Sequence, residues 1–458
     1  MIKNITVNKL YGVFDHVIDV KEGNITLILG ENGLGKTVIL KMIKNLFEND
    51  LLELGKYDFD LFSLTFEDES ILEISKESKE SHRSSYRFDD YTLSILYKRV
   101  NVKKINKFSI KSEDLMENFR DRRQGMGRSS QTNRFTHLIR TFIPNPLERI
   151  GPERWLDINT GITSNTTELI ERYSEYFPKE LIEDLKNKSA PDWFVNITKL
   201  LKVKLVETQR LLMKLNSEEK EYKSAVLQYS NELKEIIKNK ALEATNLSTK
   251  LDRTYTNRLI EKITSTNYSS NTSIDTSLKE LEVKRSFLIK VGLLEQDEEA
   301  IIPINLNQES RDNDTLRNVL EIYIDDSNEK LSVYRELSLK INTLLDIINK
   351  RFNFKKFSID KNDGFVFRST VTKMKIPISN LSSGEQHELV LFYELLFNTP
   401  ENSLILIDEP EISLHITWQN EFIKDLQEIN KINKIKSIIA THSPDIINNN
   451  WDLTVELG

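Results

Sequence analysis

Apolar residues follow two different periods along this chain, and the change of period divides it into three parts. Residues 2–20 alternate apolar and polar side chains, and Ile25–Leu29 is entirely apolar before a glycine-rich turn. The alternation predicts half-buried strands and the short apolar run a buried strand. A helix to about Phe47 is predicted next, followed by a strand hairpin at Leu61–Ser75 and a strand at Tyr91–Val100.

The middle part, from about Thr166 to Phe352, is polar and almost free of glycine. Its apolar residues recur close to every 3.5 positions, which predicts long helices with a turn at the polar segment Thr264–Ser277. An antiparallel helical arm and a compact helical bundle both fit, because heptads occur in both. A second apolar series spans Leu316–Ile348. The first series comprises Leu201, Leu205, Leu212, Leu215, Tyr222, Val226, Tyr229, Leu233, Ile236, Leu247 and Leu251.

Strand and helix patterns alternate again from Phe354 to the C-terminus. We therefore expect an α/β fold whose discontinuous domain, residues 1–160 and 354–458, is interrupted by a helical insertion at 161–353 that serves oligomerisation or partner binding. The predicted strands are Lys356–Ile359, Gly364–Arg368, Lys373–Ile378, Leu404–Ile407 and Ser437–Ala440, and the predicted helices are His387–Phe397 and Thr417–Ile429.

Composition excludes several classes of protein. The chain has 458 residues, of which 29% are charged, and a net charge of -7, which argues against a globally basic nucleic-acid binder. It has no cysteine, so disulfides, thiolate zinc sites and cysteine nucleophiles are excluded. No apolar run reaches the length of a membrane span, and the N-terminus lacks the apolar core of a signal peptide. We expect a cytoplasmic protein with no membrane partner.

The run GENGLGKT fits the phosphate-loop pattern G-x-x-x-x-G-K-[ST] and follows an apolar strand. Its glycines allow backbone amides to approach phosphates, Lys36 adds a cation, and the Thr37 hydroxyl can bind magnesium. The helix N-terminus that follows also favours an anion. These features predict ATP binding by Gly30, Glu31, Asn32, Gly33, Leu34, Gly35, Lys36 and Thr37.

A second motif, LILIDEPE at Leu404–Glu411, is an apolar strand that ends in acids. Asp408 is suited to bind Mg²⁺ together with Thr37. Glu409 points elsewhere and is either the general base that polarises the attacking water or a salt-bridged acid at the strand end. Glu411 is a poorer candidate and is expected to be a charge in a turn or helix.

Two further motifs complete the set. LSSGEQ precedes a helix and offers Ser382, Ser383, Gly384 and Glu385; alone it would only predict an N-cap. His442, in THSP after the last apolar strand, is either a capping residue or a histidine that contacts the terminal phosphate and assists catalysis. The order of the motifs predicts that the chain binds and hydrolyses ATP.

Taken together, GENGLGKT, LSSGEQ, LILIDEPE, SLH and THSP resemble the motifs of ABC-type ATPases of the SMC, RecF and OLD kind. The resemblance implies an ABC-type P-loop head, a mixed sheet with an antiparallel N-terminal lobe, interrupted by a helical or coiled-coil insertion. The segments KFSIDKNDGFVF and HSPDIINNNWDLTVEL are similar to those of ATPase subunits in bacterial anti-phage systems. The resemblance is greater to the AriA subunits of PARIS-type systems, and the PtuA subunits of Septu systems are the second family to consider.

The resemblance also implies partners. In such families ATP lies between two copies, so Lys36 and Thr37 of one copy would meet Ser382 and Gly384 of another, in a homodimer or a higher homo-oligomer. The ATPase would act as a sensor and scaffold that holds a separate effector nuclease, of the Toprim kind in PARIS-type systems. It would release or activate the nuclease on detecting a phage trigger protein, for which an acidic protein that mimics DNA is one candidate.

An alternative is a RecF- or SMC-like DNA-repair ATPase that binds DNA directly. A cationic segment can bind DNA phosphates or an acidic protein, or can be a solvated loop, because acids are interleaved with its basic residues. The length of the helical insertion argues against a transporter motor. The basic residues are Lys103, Lys104, Lys107, Arg120, Arg122, Arg123, Arg128 and Arg134.

Other positions depart from the family pattern or carry weaker hypotheses. No Q-loop glutamine is evident, and Glu153 and Arg154, in the segment IGPERW where that loop is expected, are candidates for its role. Tyr11 or Phe14 either stacks on adenine or belongs to the core. The segment after His442 is too short for a Toprim nuclease, and the acids at 312 and 314 are expected to cap a helix, so no nuclease activity is expected in this chain.

Overall fold

The computed structural model describes residues 1–78, 91–100, 102, 105–112, 147–150, 154–158, 163–165, 190–206, 212–214, 222–264, 274–295 and 314–457. The chain forms two compact units: unit 1 is Met1–Lys223 with Thr399–Gly458, and unit 2 is Ser224–Asn398. These boundaries differ from the predicted domain limits at 160 and 354. Residues up to 223 group with unit 1 and residues 354–398 with the helices of unit 2.

The strands are β1 (Ile2–Leu10), β2 (Phe14–Asp19), β3 (Ile25–Leu29), β4 (Leu61–Phe66), β5 (Ile71–Ser78), β6 (Tyr91–Lys98), β7 (Asn106–Lys111), β8 (Leu147–Arg149), β9 (Arg154–Asp157), β10 (Thr163–Asn165), β11 (Val203–Val206), β12 (Leu212–Lys214), β13 (Tyr222–Ser224), β14 (Lys355–Asp360), β15 (Gly364–Ser369), β16 (Lys375–Ile376), β17 (Leu404–Asp408), β18 (Lys436–Thr441) and β19 (Thr454–Glu456). The helices are α1 (Lys36–Phe47), α2 (Leu51–Gly55), α3 (Asp192–Lys199), α4 (Ala225–Thr264), α5 (Ile274–Lys290), α6 (Asp314–Ser332), α7 (Arg335–Arg351), α8 (Ser383–Phe397), α9 (Ile416–Asn433) and α10 (Pro444–Ile447). Short 3-10 helices span Ile378–Asn380, Pro410–Ser413 and Trp451–Leu453.

Unit 1 contains an antiparallel sheet and a parallel sheet. The antiparallel sheet has the order β2-β1-β4-β5-β6-β7, and the parallel sheet has the order β11-β17-β18-β3-β19. A short third sheet, β10-β9-β8, is also antiparallel. The head is therefore an α/β P-loop fold with an antiparallel N-terminal lobe, as the sequence predicted.

The parallel sheet is apolar because both of its faces are covered. Every residue of β17 is buried, and so are most residues of β3 and β18. One apolar core joins this sheet to α1 and to the inward-facing residues of the antiparallel sheet. In the strand register, Asp408 pairs with Ala440 and Leu29 pairs with Thr441. The loops that follow these three strands consequently leave the same edge of the sheet.

One predicted helical stretch is wrong. Within the first apolar series, Val203–Val206 is not helical but forms β11, parallel to Leu404–Ile407 of β17. The residues described at 212–214 and 222–224 are also strands. Leucines four positions apart fit a helix face, but this short stretch gains more from adding main-chain hydrogen bonds to a buried sheet edge, an interaction that periodicity does not reveal.

Unit 2 contains the long helices. Helix α4 has 40 residues and pairs antiparallel with α6 through ion pairs that run in opposite chain directions. Lys262 lies 3.0 Å from Glu321, Arg258 pairs with Asp326, and Lys330 lies 3.4 Å from the Asp252 carboxylate. At 1.5 Å per residue, α4 extends about 60 Å. The arm and the bundle both stay predictions. The second predicted series breaks into α6 and α7 at Tyr334, and none of the described helices is long and apolar enough to cross a bilayer.

Candidate functional site

The phosphate loop connects β3 to α1, as predicted. Gly33 and Gly35 have φ of 93° and 90°, a left-handed conformation that glycine adopts without strain. Gly35 lies where the N-cap of α1 would be, and no side chain caps that end. The first amides of α1 are therefore not capped by a side chain, and a phosphate can bind them.

Side chains from the antiparallel lobe support this loop. His16 is 2% exposed, and its Nε2 lies 2.8 Å from the Leu34 carbonyl oxygen. A Cβ atom on Gly35 would lie 2.4 Å from Leu10 Cδ2 and 3.5 Å from Tyr11 Cε2. Tyr11 is thus close to the loop and 46% exposed, whereas the Phe14 ring stacks on His16. The adenine contact stays a prediction for both residues.

Lys36 and Thr37 start α1 with their side chains in polar contacts. Lys36 is 5% exposed, and its ammonium donates hydrogen bonds to the carbonyl oxygens of Gly30, at 2.7 Å, and of Glu31, at 2.9 Å. The Thr37 hydroxyl lies 2.9 and 3.0 Å from the two carboxylate oxygens of Asp408, to which it donates. Two residues that are 371 positions apart in sequence are thereby brought together.

The Thr37–Asp408 pair has the chemistry of a magnesium site. A hydroxyl and a buried carboxylate, with 9% of Asp408 exposed, supply the hard oxygen ligands that Mg²⁺ prefers. Lys36 directly precedes Thr37 and adds a positive charge that attracts phosphates. The donor set therefore fits a Mg²⁺-bound nucleotide.

The chain turns sharply after Asp408. Glu409 has φ 43° and ψ 60°, a left-handed conformation that costs a non-glycine residue about 1–2 kcal/mol. Its amide donates to the Ala440 carbonyl oxygen at 2.9 Å, which holds the turn against β18. A 3-10 helix begins at Pro410. Backbone strain of this kind is often retained at functional positions.

His442 follows β18 and lies beside two carboxylates. Its Nδ1 is 3.1 Å from Glu411 Oε1 and 3.8 Å from Glu409 Oε1. The His442 side chain is 44% exposed, that of Glu409 is 25% exposed, and that of Glu411 is 6% exposed. The two predicted catalytic residues therefore lie close together, and the more buried Glu411 contacts His442.

Sequence reasoning underestimated Glu411. Its carboxylate accepts hydrogen bonds from the Thr441 hydroxyl, at 2.8 Å, and from the His442 amide, at 2.9 Å. The only available signal was its position two residues after Glu409 and next to an apolar strand end, which does not distinguish a buried acid from a turn charge. The neighbouring Ser443 hydroxyl donates to Gln419 Oε1 at 2.7 Å.

The segment Leu381–Gln386 (LSSGEQ), which we call the signature loop, caps α8 in unit 2. Ser382 Oγ accepts from the Glu385 amide at 3.3 Å, and Glu385 Oε2 accepts from the Ser382 amide at 2.7 Å, so the two form a capping box. Lys355 donates to both Glu385 oxygens, at 2.8 and 2.6 Å. Ser382 and Ser383 are exposed, and a Cβ on Gly384 would meet no atom within 4 Å. The loop is preformed and its small residues face open space.

Helix α8 is fixed from behind by a buried ion pair. The Arg351 guanidinium lies 2.7 Å from Glu388, and their side chains are 6% and 0% exposed. Arg351 also lies over the Phe392 ring, 4.9 Å from its centroid. Farther along, the Tyr229 hydroxyl donates to Glu394 at 2.8 Å, and burial raises the pKa of this tyrosine well above its usual value. The end of α7 is thus tied to α8.

Several predicted features lie outside the described residues. They include most of the cationic segment, Glu153, Asp312 and the tip at 265–273. For Arg154 only the backbone, in β9, is described, and Lys107 lies in β7. The hypotheses attached to these positions stay predictions.

Comparison with known proteins gives one family and a set of solved structures. The family described as AAA ATPase domain matches residues 1–447. No curated protein matches the chain. The Smc head domain with an extended coiled coil, bound to the C-terminal domain of ScpA, from Pyrococcus furiosus is 13% identical, covering 98% of this chain and 91% of that one at TM-score 0.32. The SMC head domain from Thermotoga maritima is 9% identical, covering 99% and 94% at TM-score 0.32. Scores this low carry no functional comparison.

Proposed function

Because the chain belongs to the AAA ATPase domain family, it is a nucleotide-binding ATPase, and we propose that it hydrolyses Mg²⁺-bound ATP at a site completed by a second copy of itself. The observation that carries this proposal is the convergence of Lys36, Thr37 and Asp408 at one edge of the parallel sheet. A phosphate chain is the ligand that this combination of loop amides, ammonium and magnesium-binding oxygens suits.

Each residue has a distinct part in binding. The amides of the phosphate loop and the Lys36 ammonium bind the phosphates, and Gly30 and Glu31 carbonyls hold that ammonium in place. Thr37 and Asp408 hold the metal. When bound, Mg²⁺ supplies positive charge that neutralises the β- and γ-phosphates. The Leu34 carbonyl oxygen lies 2.8 Å from His16 Nε2, which ties the loop to the antiparallel lobe.

Glu409 is the residue we assign as general base. It directly follows Asp408, which would bind the metal, and its partly exposed carboxylate lies 3.8 Å from His442 Nδ1. From there it can accept a proton from the attacking water. His442, beside it, contacts the terminal phosphate. Glu409→Gln is therefore expected to bind ATP with affinity close to wild type and to lower kcat by about 10²–10⁴-fold.

The signature loop completes the site of a second copy. Ser382 and Ser383 are exposed and lie, with Gly384, at the start of a 15-residue helix, where small side chains allow a phosphate bound by another copy to approach. ATP would then join two copies, and hydrolysis would release them. The test is to mix two variants that are each expected to be inactive. Lys36→Ala removes the ammonium of the phosphate loop, and Ser383→Arg blocks the signature loop with a large side chain.

A mixed dimer of these variants contains one intact composite site, since the phosphate loop of one copy meets the signature loop of the other. We expect each variant alone to be inactive and the mixture to recover ATPase activity. Ser383→Ala, which leaves the capping box in place, is the control and should stay active. If the mixture stays inactive although both variants bind each other, the composite site is wrong.

We further propose that this ATPase belongs to an anti-phage complex in which it holds a separate effector nuclease until a phage protein is sensed. The support is the resemblance of its motifs and terminal segments to the AriA and PtuA kinds of subunit. Expression with the neighbouring gene, followed by mass measurement of the complex, tests it. Co-purification of a nuclease supports the proposal. ATPase stimulation by DNA that weakens with added salt, without such a partner, would favour the DNA-repair alternative.

A further inference from the structure

Glu411 is buried, although an ordinary charged residue in a turn is exposed to solvent. The left-handed Glu409 and the 3-10 helix Pro410–Ser413 turn the chain back, so that Glu411 lies against the end of β18 with 8% of its surface exposed. A carboxylate is rarely buried unless fixed donors compensate its lost hydration. Two such donors are present, the Thr441 hydroxyl and the His442 amide.

The contact with the His442 ring is additional to these two. Oε1 of Glu411 receives both donors and also lies 3.1 Å from His442 Nδ1. A carboxylate oxygen can only accept, so at this distance a hydrogen on Nδ1 would be attracted to it, whereas a lone pair on Nδ1 would be repelled. Glu409 lies 3.8 Å from the same nitrogen, which is beyond hydrogen-bonding distance. Of these two carboxylates, that of Glu411 is therefore the one that acts on Nδ1.

We propose that Glu411 is a positioning residue that holds the His442 ring in its Nδ1–H form and leaves Nε2 to meet the substrate. In the neutral ring Nε2 accepts a hydrogen bond from water, and in the doubly protonated ring it donates to a phosphate oxygen. The role of Nε2 rests on the proposed ATPase mechanism. The orientation of the ring does not depend on it.

The purely structural alternative predicts a different result. Suppose that Glu411 only stabilises the turn through Thr441 and the His442 amide. Its loss would then lower the stability of the protein, leave the His442 tautomer unchanged and cause no fall in kcat that is larger than the change in KM. A positioning role predicts a change of tautomer together with a fall in kcat.

The experiment compares Glu411→Gln and Glu411→Ala with wild type by NMR of ¹⁵N-histidine-labelled full-length protein, with the His442 signals assigned by their loss in His442→Gln. At a pH where the ring is neutral, wild type should carry its hydrogen on Nδ1. Glu411→Ala should lose this preference, and Glu411→Gln, which keeps an acceptor oxygen, should retain part of it. Steady-state ATPase kinetics should show kcat reduced about 10- to 100-fold in Glu411→Ala, with KM for ATP changed less.

Glu421→Gln is the matched control, because Glu421 is an exposed glutamate, 61% accessible, on α9 of the same unit. It should match wild type in both measurements. An unchanged His442 tautomer in both Glu411 variants would overturn the proposal, whatever the ATPase rates. If Glu411→Ala fails to fold, Glu411→Gln decides the matter. Absence of ATPase activity in wild type would refute the proposed function, while the NMR comparison would still test the orientation of His442.

Discussion

The buried pair Arg351–Glu388 gives a direct test of what holds α8 in place. The two side chains are 6% and 0% exposed, so neither charge is hydrated. Glu388→Gln keeps the shape of the side chain and removes the carboxylate charge that faces the buried guanidinium. Breaking such a pair costs about 3–5 kcal/mol. We expect the lower end, about 3 kcal/mol, because the amide oxygen still accepts a hydrogen bond and the Phe392 ring still faces the cation.

Hydrogen exchange is the suitable assay, because a chain of two compact units has no single free energy of unfolding. Since 1.4 kcal/mol corresponds to a factor of ten, amides of α8 should exchange about 100-fold faster in Glu388→Gln. Peptides from α9, in unit 1, report on specificity and should change less.

Two further variants separate the possible causes. Lys375 and Asp363 form an exposed pair in the same unit, 2.6 Å apart with side chains 53% and 55% accessible, so Asp363→Asn should cost at most about 1 kcal/mol. The double change Arg351→Met with Glu388→Leu replaces the pair by apolar side chains and should restore most of the protection. If Glu388→Gln exchanged no faster than Asp363→Asn, the buried pair would not be what stabilises α8.

Three other substitutions test close contacts and the metal site. Gly35→Ala should weaken ATP binding more than Gly33→Ala in calorimetric titrations, because both have positive φ but only a Cβ at the former would strike a leucine of β1, at 2.4 Å; equal losses would contradict this. Gly292→Ala, at φ +81°, would place a Cβ 2.0 Å from the Ile359 carbonyl oxygen. Backbone strain of about 1–2 kcal/mol alone would speed hydrogen exchange in β14 roughly tenfold, and the clash should make the increase larger. Thr37→Val should raise the Mg²⁺ concentration for half-maximal ATPase activity about tenfold, with Thr37→Ser unaffected, and an unchanged Mg²⁺ titration would remove this residue from the metal site.

The strand–loop–helix around Lys36 could be predicted because each of its signals is local. An apolar run forms β3, glycines permit the positive φ values of Gly33 and Gly35, and α1 ends at Phe47, as expected from the sequence. The same holds for the acidic strand that ends at Asp408. Their proximity was inferred from the motif set, and the structure adds the contact itself, from the Thr37 hydroxyl to the Asp408 carboxylate.

Residues 203–206 and Glu411 could not be predicted in the same way. The spacing of leucines around 203–206 fits a helix, and only the open edge of β17 makes this stretch a strand. Glu411 has the sequence neighbours of an ordinary acid in a turn, and its environment depends on where β18 ends. In both cases the deciding interaction joins distant segments of the chain.

The sequence alone determined the phosphate loop, the acidic strand and the heptad-like helices, because those depend on the conformational preferences and periodicity of neighbouring residues. Only the tertiary structure decided which carboxylate contacts His442 and that Lys355 and Arg351 pair with acids of α8. It also decided that residues 203–206, inside the predicted insertion, belong to the parallel sheet. Burial, pairing of charges and strand partners depend on the whole fold, and a periodic pattern does not carry that information.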